Sequence, residues 1–128
     1  MSVEGSKILE GLAFEITAKG FQVRADVEKN LGGQNSAPGP HDYLEIALAS
    51  CTVITVQMYA KRKNIPLEYT DVKVKITAEG EAGNEILREV NFVGDLTDEQ
   101  KSSLLAIAEK CPIHRFLSRG AKITTQMV

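Results

Sequence analysis

This chain of 128 residues has no basic excess, no polybasic run and no apolar leader. Its 15 lysines and arginines are interleaved with 17 aspartates and glutamates, for a net charge of −2. That balance offers no electrostatic footprint for nucleic acid and no basic patch for an anionic membrane. Residues 1–11 lack the apolar run of a signal peptide. No stretch reads as approaching the ~20 apolar residues of a membrane span. These absences predict a cytoplasmic protein, in a compartment that keeps thiols reduced. Cysteine is scarce, with Cys51 and Cys111 alone. In that setting the pair is expected to be reactive or simply buried, not a structural disulfide. Repeats, low-complexity tracts and linkers are also missing, and the length fits a single domain over residues 1–128.

The sequence does contain one dominant stretch, residues 38–63, which reads as a long helix with Cys51 near its middle. Pro40 suits a first helical position, where a missing N–H costs nothing. Asp42 and Glu45 place negative charge in the first turns, and Lys61, Arg62 and Lys63 place positive charge in the last, as the helix dipole favours. Asn64 can close the helix and Pro66 cannot continue it. Between these ends the helix is apolar almost all round, from Tyr43 and Leu44 to Met58 and Tyr59. A helix with no polar face is expected to be buried, and here to form the spine of the core. It carries more apolar surface than the remaining elements of one chain are expected to cover, which predicts an obligate dimer.

Around this helix the periodicity switches to two. Residues 12–18 and 21–27 alternate apolar and polar about Gly20 and predict a hairpin. A Gly/Asn/Ser/Pro loop over 30–40 leads into the helix. A second hairpin is expected from strands at 71–78 and 85–94. Arg88 falls on the apolar face of its strand, where the plain reading is a strand-end side chain that snorkels, against a role in binding an anion. Thr97 with Gln100 is a capping box for a second helix running to about Cys111, with Leu104, Ile107, Ala108 and Cys111 on one face and Pro112 as its stop. Residues 121–128 alternate as a last strand. The predicted class is α+β, with antiparallel hairpins around a long central helix in the order ββαββαβ.

Each cysteine by itself reads as a small buried hydrophobe. Two of them on the core faces of two helices that pack together can meet, provided their Cα atoms come within ~7 Å. Cys51 lies about ten residues, or ~15 Å, into its helix, too deep for the N-terminal dipole to stabilise a sulfur anion. Its activation therefore requires a cation from elsewhere in the fold: Arg24, Arg88, Arg115 or Arg119. Cys51, Cys111, His114 and His41 would make a four-ligand zinc set, but Cys-x-x-His occurs only once and is a weak signal. His114 and Arg115 otherwise read as partners for the carbonyls freed at a helix end. Cys51 with His114 would be the pair for another kind of thiol enzyme, but no nucleophile elbow surrounds either residue.

Taken together, Leu31-Gly32-Gly33, Gly39-Pro40-x-Asp42, Ala49-Ser50-Cys51-Thr52 and Cys111-Pro112-Ile113-His114-Arg115-x-Leu117 before a final strand resemble the OsmC/Ohr family of thiol peroxidases. The resemblance runs over nearly the whole chain and is nearest to the general OsmC-like branch. It implies an intertwined homodimer with paired central helices and active sites at the interface. It implies reduction of organic hydroperoxides, and less well of hydrogen peroxide, in an oxidative stress response. Cys51 would be the peroxidatic thiol and Cys111 the resolving one. An external dithiol, of the lipoyl type or similar, would be the reductant, with no metal or bound cofactor. The family's activating pair is a Glu ten residues before the first cysteine with an early-strand Arg. Here His41 stands at that place with Asp42 beside it, and Arg24 is the early arginine. Arg24, His41, Asp42, His114 and Arg115 are thus the supporting residues. The alternative, from a different class, is a non-catalytic small-molecule-binding protein with an apolar pocket at the dimer interface.

Overall fold

The computed structural model describes residues 2–128, and of Ser6 and Lys7 only the backbone. The chain is a mixed α+β structure in which two antiparallel sheets accompany three helices. It divides into two compact units, one reaching to Leu44 and the other Glu45–Val128.

In the first unit, β1 (Val3–Ile8), β2 (Phe14–Ala18) and β3 (Phe21–Ala25) form an antiparallel sheet in that order. The hairpin expected about Gly20 is present, with Ile16 opposite Val23 and Glu15 opposite Arg24. β1 was not expected from the sequence and pairs along β2. The loop after β3 is organised by Asp26, which is buried. Its carboxylate accepts the Ser36 hydroxyl at 2.5 Å and the backbone N–H groups of Val27, Gln34 and Ser36 at 2.8, 3.3 and 3.1 Å. Gly33 is required in this loop, because a Cβ there would lie 2.1 Å from the Val27 carbonyl oxygen.

The central helix, α1, runs Pro40–Arg62. Its ends are those expected: Pro40 opens it, and Asn64 takes the left-handed conformation (φ 54°) that lets the chain turn away. Burial along it differs from the expectation of a helix covered on every side. Only Leu48, Thr52, Val56 and Ala60 are buried, one stripe at four-residue spacing, while Ile46, Ile54 and Met58 stand exposed. A single chain offers α1 one packing face, and the composition of a helix does not tell how many faces its own chain covers. By length and composition α1 would also pass for a membrane span, contrary to the sequence reading. Its buried stripe nevertheless packs into a core.

That core belongs to the second unit. Val56 and Ala60 of α1 meet Leu67, Leu104 and Ala108, with Tyr59, Ile65, Phe92, Leu96 and Ile107 packed around them. Leu67 opens β4 (Leu67–Ala78), which pairs antiparallel with β5 (Glu85–Gly94). The register sets Val72 opposite Val90, Val74 opposite Arg88 and Ile76 opposite Ile86. These even-numbered positions are half-buried and alternate with exposed odd ones. Glu45 ties α1 to this hairpin by accepting the Ile76 N–H at 2.9 Å. α2 (Asp98–Ala108) begins at the expected capping box: Thr97 accepts from the Gln100 N–H at 3.1 Å and Gln100 from the Thr97 N–H at 3.0 Å.

Two expectations for the end of the chain are corrected. α2 stops at Ala108, so Cys111 lies beyond it, and Pro112 opens a third helix, α3 (Pro112–Arg119). Residues 121–128 form no strand; they are exposed and have no sheet partner among the described residues. An alternating pattern describes a strand only where an edge is there to receive it. The order is therefore βββαββαα, in place of ββαββαβ.

Candidate functional site

The side chains that gather in the second unit come from α1, β5 and the turn between α2 and α3. Cys111 is fully buried at the N-cap of α3, where its sulfur accepts the His114 N–H at 3.3 Å. Proline at the first helical position leaves that N–H as one of the few donors to be satisfied, and the sulfur satisfies it. Thr52 of α1, also fully buried, brings its hydroxyl to 4.0 Å from the same sulfur. That hydroxyl donates to the Leu48 carbonyl at 2.7 Å, so its lone pairs face outward from the helix.

Into this space β5 directs Arg88. Its side chain is 10% exposed. Nη1 donates to Thr52 Oγ1 at 3.0 Å and lies 4.0 Å from Cys111 Sγ. Nη2 is 2.8 Å from His114 Nδ1 and 3.8 Å from Glu109 Oε2. A guanidinium only donates, so Nδ1 is the acceptor and the neutral ring carries its proton on Nε2. That nitrogen lies 3.5 Å from the same Glu109 oxygen. The plain reading of Arg88 as a snorkelling strand-end side chain is overturned: it lies mid-strand, largely covered, and is tethered by three neighbours. So is the expectation that His114 bonds freed carbonyls, since its ring and its N–H both serve this cluster. An open groove of about 450 Å³ borders the cluster, with Leu48, Ile86 and Leu117 among its apolar lining and Arg88, Glu109 and His114 among its polar lining.

Cys51 is half-buried, and the contact its sulfur makes is with Thr55 Oγ1 at 3.9 Å, within α1. Both thiols are free. Cys51 is the chain neighbour of Thr52, the residue that touches Cys111, and successive helical side chains point ~100° apart. Arg115 and Arg119 are exposed on α3. Arg24, His41 and Asp42 belong to the first unit. Arg24 is exposed on β3, and its carbonyl accepts the Tyr43 hydroxyl. Asp42 accepts the Gly39 N–H at 2.7 Å and so caps the start of α1, with the exposed His41 beside it. Among the described residues no group of three or more His, Cys, Asp or Glu side chains is arranged to hold a metal ion. Sequence reasoning missed Thr52 and Glu109. The available signal for Thr52 was a polar residue at the centre of an apolar helix, next to a cysteine.

Comparison with solved structures places the fold. An OsmC-like protein of Mycoplasma pneumoniae is 18% identical and superposes with a TM-score of 0.73, over 91% of this chain and 86% of that one. The organic hydroperoxide resistance protein OhrB of Bacillus subtilis is 23% identical with a TM-score of 0.63, over 93% and 90% of the two chains. An organic hydroperoxide resistance protein, OsmC, of Legionella pneumophila is 19% identical with a TM-score of 0.60, over 86% and 90%. No curated protein matches the sequence. The sequence does match the family model for OsmC-like protein over residues 33–126, a span that takes in both cysteines, Arg88 and all three helices. The chain belongs to the OsmC-like family.

Proposed function

We propose that this protein is a cysteine-based peroxidase that reduces organic hydroperoxides, and hydrogen peroxide less well, as a single-domain cytoplasmic protein in the response to oxidative stress. One observation carries the reading. The buried sulfur of Cys111 sits against Thr52, the residue adjoining Cys51, in a chain of a family whose folds include organic hydroperoxide resistance proteins. In the proposed cycle the Cys51 sulfur attacks the outer peroxide oxygen. The O–O bond breaks, an alcohol leaves and Cys51 becomes a sulfenic acid. Cys111 condenses with it to a disulfide and releases water. An external dithiol, of the lipoyl type or similar, reduces the disulfide by exchange. The cycle draws on no metal or bound cofactor.

The working form in this reading is a homodimer. Ile46, Ile54 and Met58, exposed in the single chain, supply the apolar surface for it. Arg24, with His41 and Asp42, is the proposed support for Cys51, and Arg115 is the second candidate; slower alkylation of Cys51 in Arg24→Met or Arg115→Met tests each.

The deciding experiment is mass spectrometry of the reduced protein after one equivalent of an organic hydroperoxide. The wild type is expected to gain an intramolecular disulfide. Cys51→Ser is expected to lose turnover. Cys111→Ser is expected to undergo one oxidation and then stall, with Cys51 as sulfenic or higher acids. Normal turnover by Cys111→Ser, or trapping of the first sulfenic acid on Cys111, rules the assignment out.

A further inference from the structure

Within that peroxidase reading, we propose that Arg88 is the catalytic cation of the disulfide-forming step, acting on Cys111, and that Thr52, His114 and Glu109 are the residues that position it. A sulfur attacks as its anion, and a neighbouring cation or helix N-terminus favours that form. Cys111 has both. Its Sγ caps α3 through the His114 N–H at 3.3 Å and lies 4.0 Å from Arg88 Nη1. The Cys51 sulfur instead meets the Thr55 hydroxyl at 3.9 Å, within its own helix.

The guanidinium is fixed on both arms. Nη1 is anchored on Thr52 Oγ1 at 3.0 Å, and the Thr52 hydroxyl proton is committed to the Leu48 carbonyl, so that oxygen is available to Arg88 as an acceptor. Nη2 is anchored on His114 Nδ1 at 2.8 Å and drawn toward Glu109, which also faces the other ring nitrogen. A planar fork held at both ends presents its charge to one place, which a lysine on a flexible stem does not. Glu109 is exposed and offsets part of the charge from the solvent side. The sulfur meets the guanidinium from the buried side.

In the step itself the Cys111 sulfur supplies an electron pair to the Cys51 sulfur. The Sγ–Sγ bond forms as the S–O bond of the Cys51 sulfenic acid breaks. The hydroxide that leaves takes up the proton given up by the Cys111 thiol and departs as water. One sulfenic acid and one thiol become one disulfide, with no further oxidant. Arg88 faces the Cys111 sulfur as it attacks, and Thr52 ties the guanidinium to α1, the helix that carries Cys51 one residue away.

The test separates the two steps. Reduced full-length protein is mixed with one equivalent of cumene hydroperoxide. Peroxide loss is followed alongside the decay of the Cys51 sulfenic acid, trapped with dimedone at timed intervals. Arg88→Met is expected to form the disulfide about 10²-fold more slowly, the usual cost of removing one fixed donor from a charged centre, so that the Cys51 sulfenic acid outlives that of the wild type; its peroxide loss is expected to fall by a smaller factor than its disulfide formation. Arg88→Lys is expected to recover part of that loss, and Thr52→Val to slow the same step by less. These two variants carry the test if Arg88→Met does not fold. Disulfide formation at the wild-type rate in Arg88→Lys and Thr52→Val overturns the proposal. So does an equal fall in both steps, which would assign Arg88 to the first sulfur. A wild type that forms no Cys51 sulfenic acid overturns the peroxidase reading itself, and this step with it.

Discussion

Arg88 Nη2 and His114 Nδ1 face each other at 2.8 Å, a donor with no lone pair against a ring nitrogen that must therefore supply one. This contact fixes the form of the histidine. The neutral ring is expected to be the Nε2–H tautomer, which nitrogen NMR of the side chain reports directly. His114→Leu is expected to leave a donor of the nearly buried Arg88 unsatisfied and to cost ~1–3 kcal/mol in urea denaturation. A neutral ring protonated on Nδ1 would show that the contact is not a hydrogen bond.

Acid is expected to loosen the Asp26 loop. The Ser36 hydroxyl, then the backbone N–H groups of Ser36 and Val27, hold the Asp26 carboxyl at a pKa of about 2 against an ordinary value of 3.8, and burial opposes them in part. The folded value lies below the unfolded one, so the ionised group stabilises the fold. Its contribution is complete above pH 3.8 and is lost as pH falls toward about 2. Stability measured against pH should decline through that window in the wild type. Asp26→Asn should be less stable at neutral pH and lack this part of the decline. Equal acid slopes in the two proteins would remove Asp26 from the account.

Leu104 tests the core. It is fully buried and packs with Val56, Ala60, Leu67 and Ala108. Leu104→Ala removes three heavy atoms from a site lined by α1, β4 and α2, and is expected to cost ~2–5 kcal/mol. A loss under ~1 kcal/mol in denaturant titration would mean that the site collapses around the smaller side chain.

The exposed side of α1 makes the fourth prediction. Ile54 and Met58 are each 59% exposed in the single chain. In sedimentation the wild type is expected to run at twice the chain mass of 14.0 kDa at low micromolar concentration. Ile54→Glu with Met58→Glu is expected to shift it toward the monomer, because charge buried in an apolar seam is costly. A fully stable wild-type monomer would end the homodimer reading.

The features legible in the sequence are those set by local chemistry. Pro40, Asn64 and Pro66 delimit α1, Thr97 and Gln100 open α2, and strict alternation marks the two expected hairpins. The features that were not legible depend on partners far away in the chain. β1 has Gly5 and Ser6 in its interior and weak alternation, and it owes its strand form to pairing with β2. α3 begins Cys-Pro, and cysteine is not among the usual capping residues, so Pro112 reads as a stop when it is also a start. Arg88 was visible as a charge on an apolar face. Its meaning was not, because its acceptors come from residues 36, 21 and 26 positions away in the sequence. Of the side chains that gather in the cluster, Cys111 and His114 were legible, and Thr52 and Glu109 were hidden.

A helix begun by serine is indifferent to oxidants, whereas α3 is begun by a sulfur. While Cys111 is reduced, its lone pairs close the first turn at His114. Once that sulfur is bonded to another, it can no longer become an anion and is a poorer acceptor. The His114 amide then loses part of its partner, and the first turn of α3 its hold. Amide exchange at His114 becomes a gauge of oxidation, slow in the dithiol and faster in the disulfide. In the proposed cycle the backbone of α3 would thus register the oxidation of Cys111.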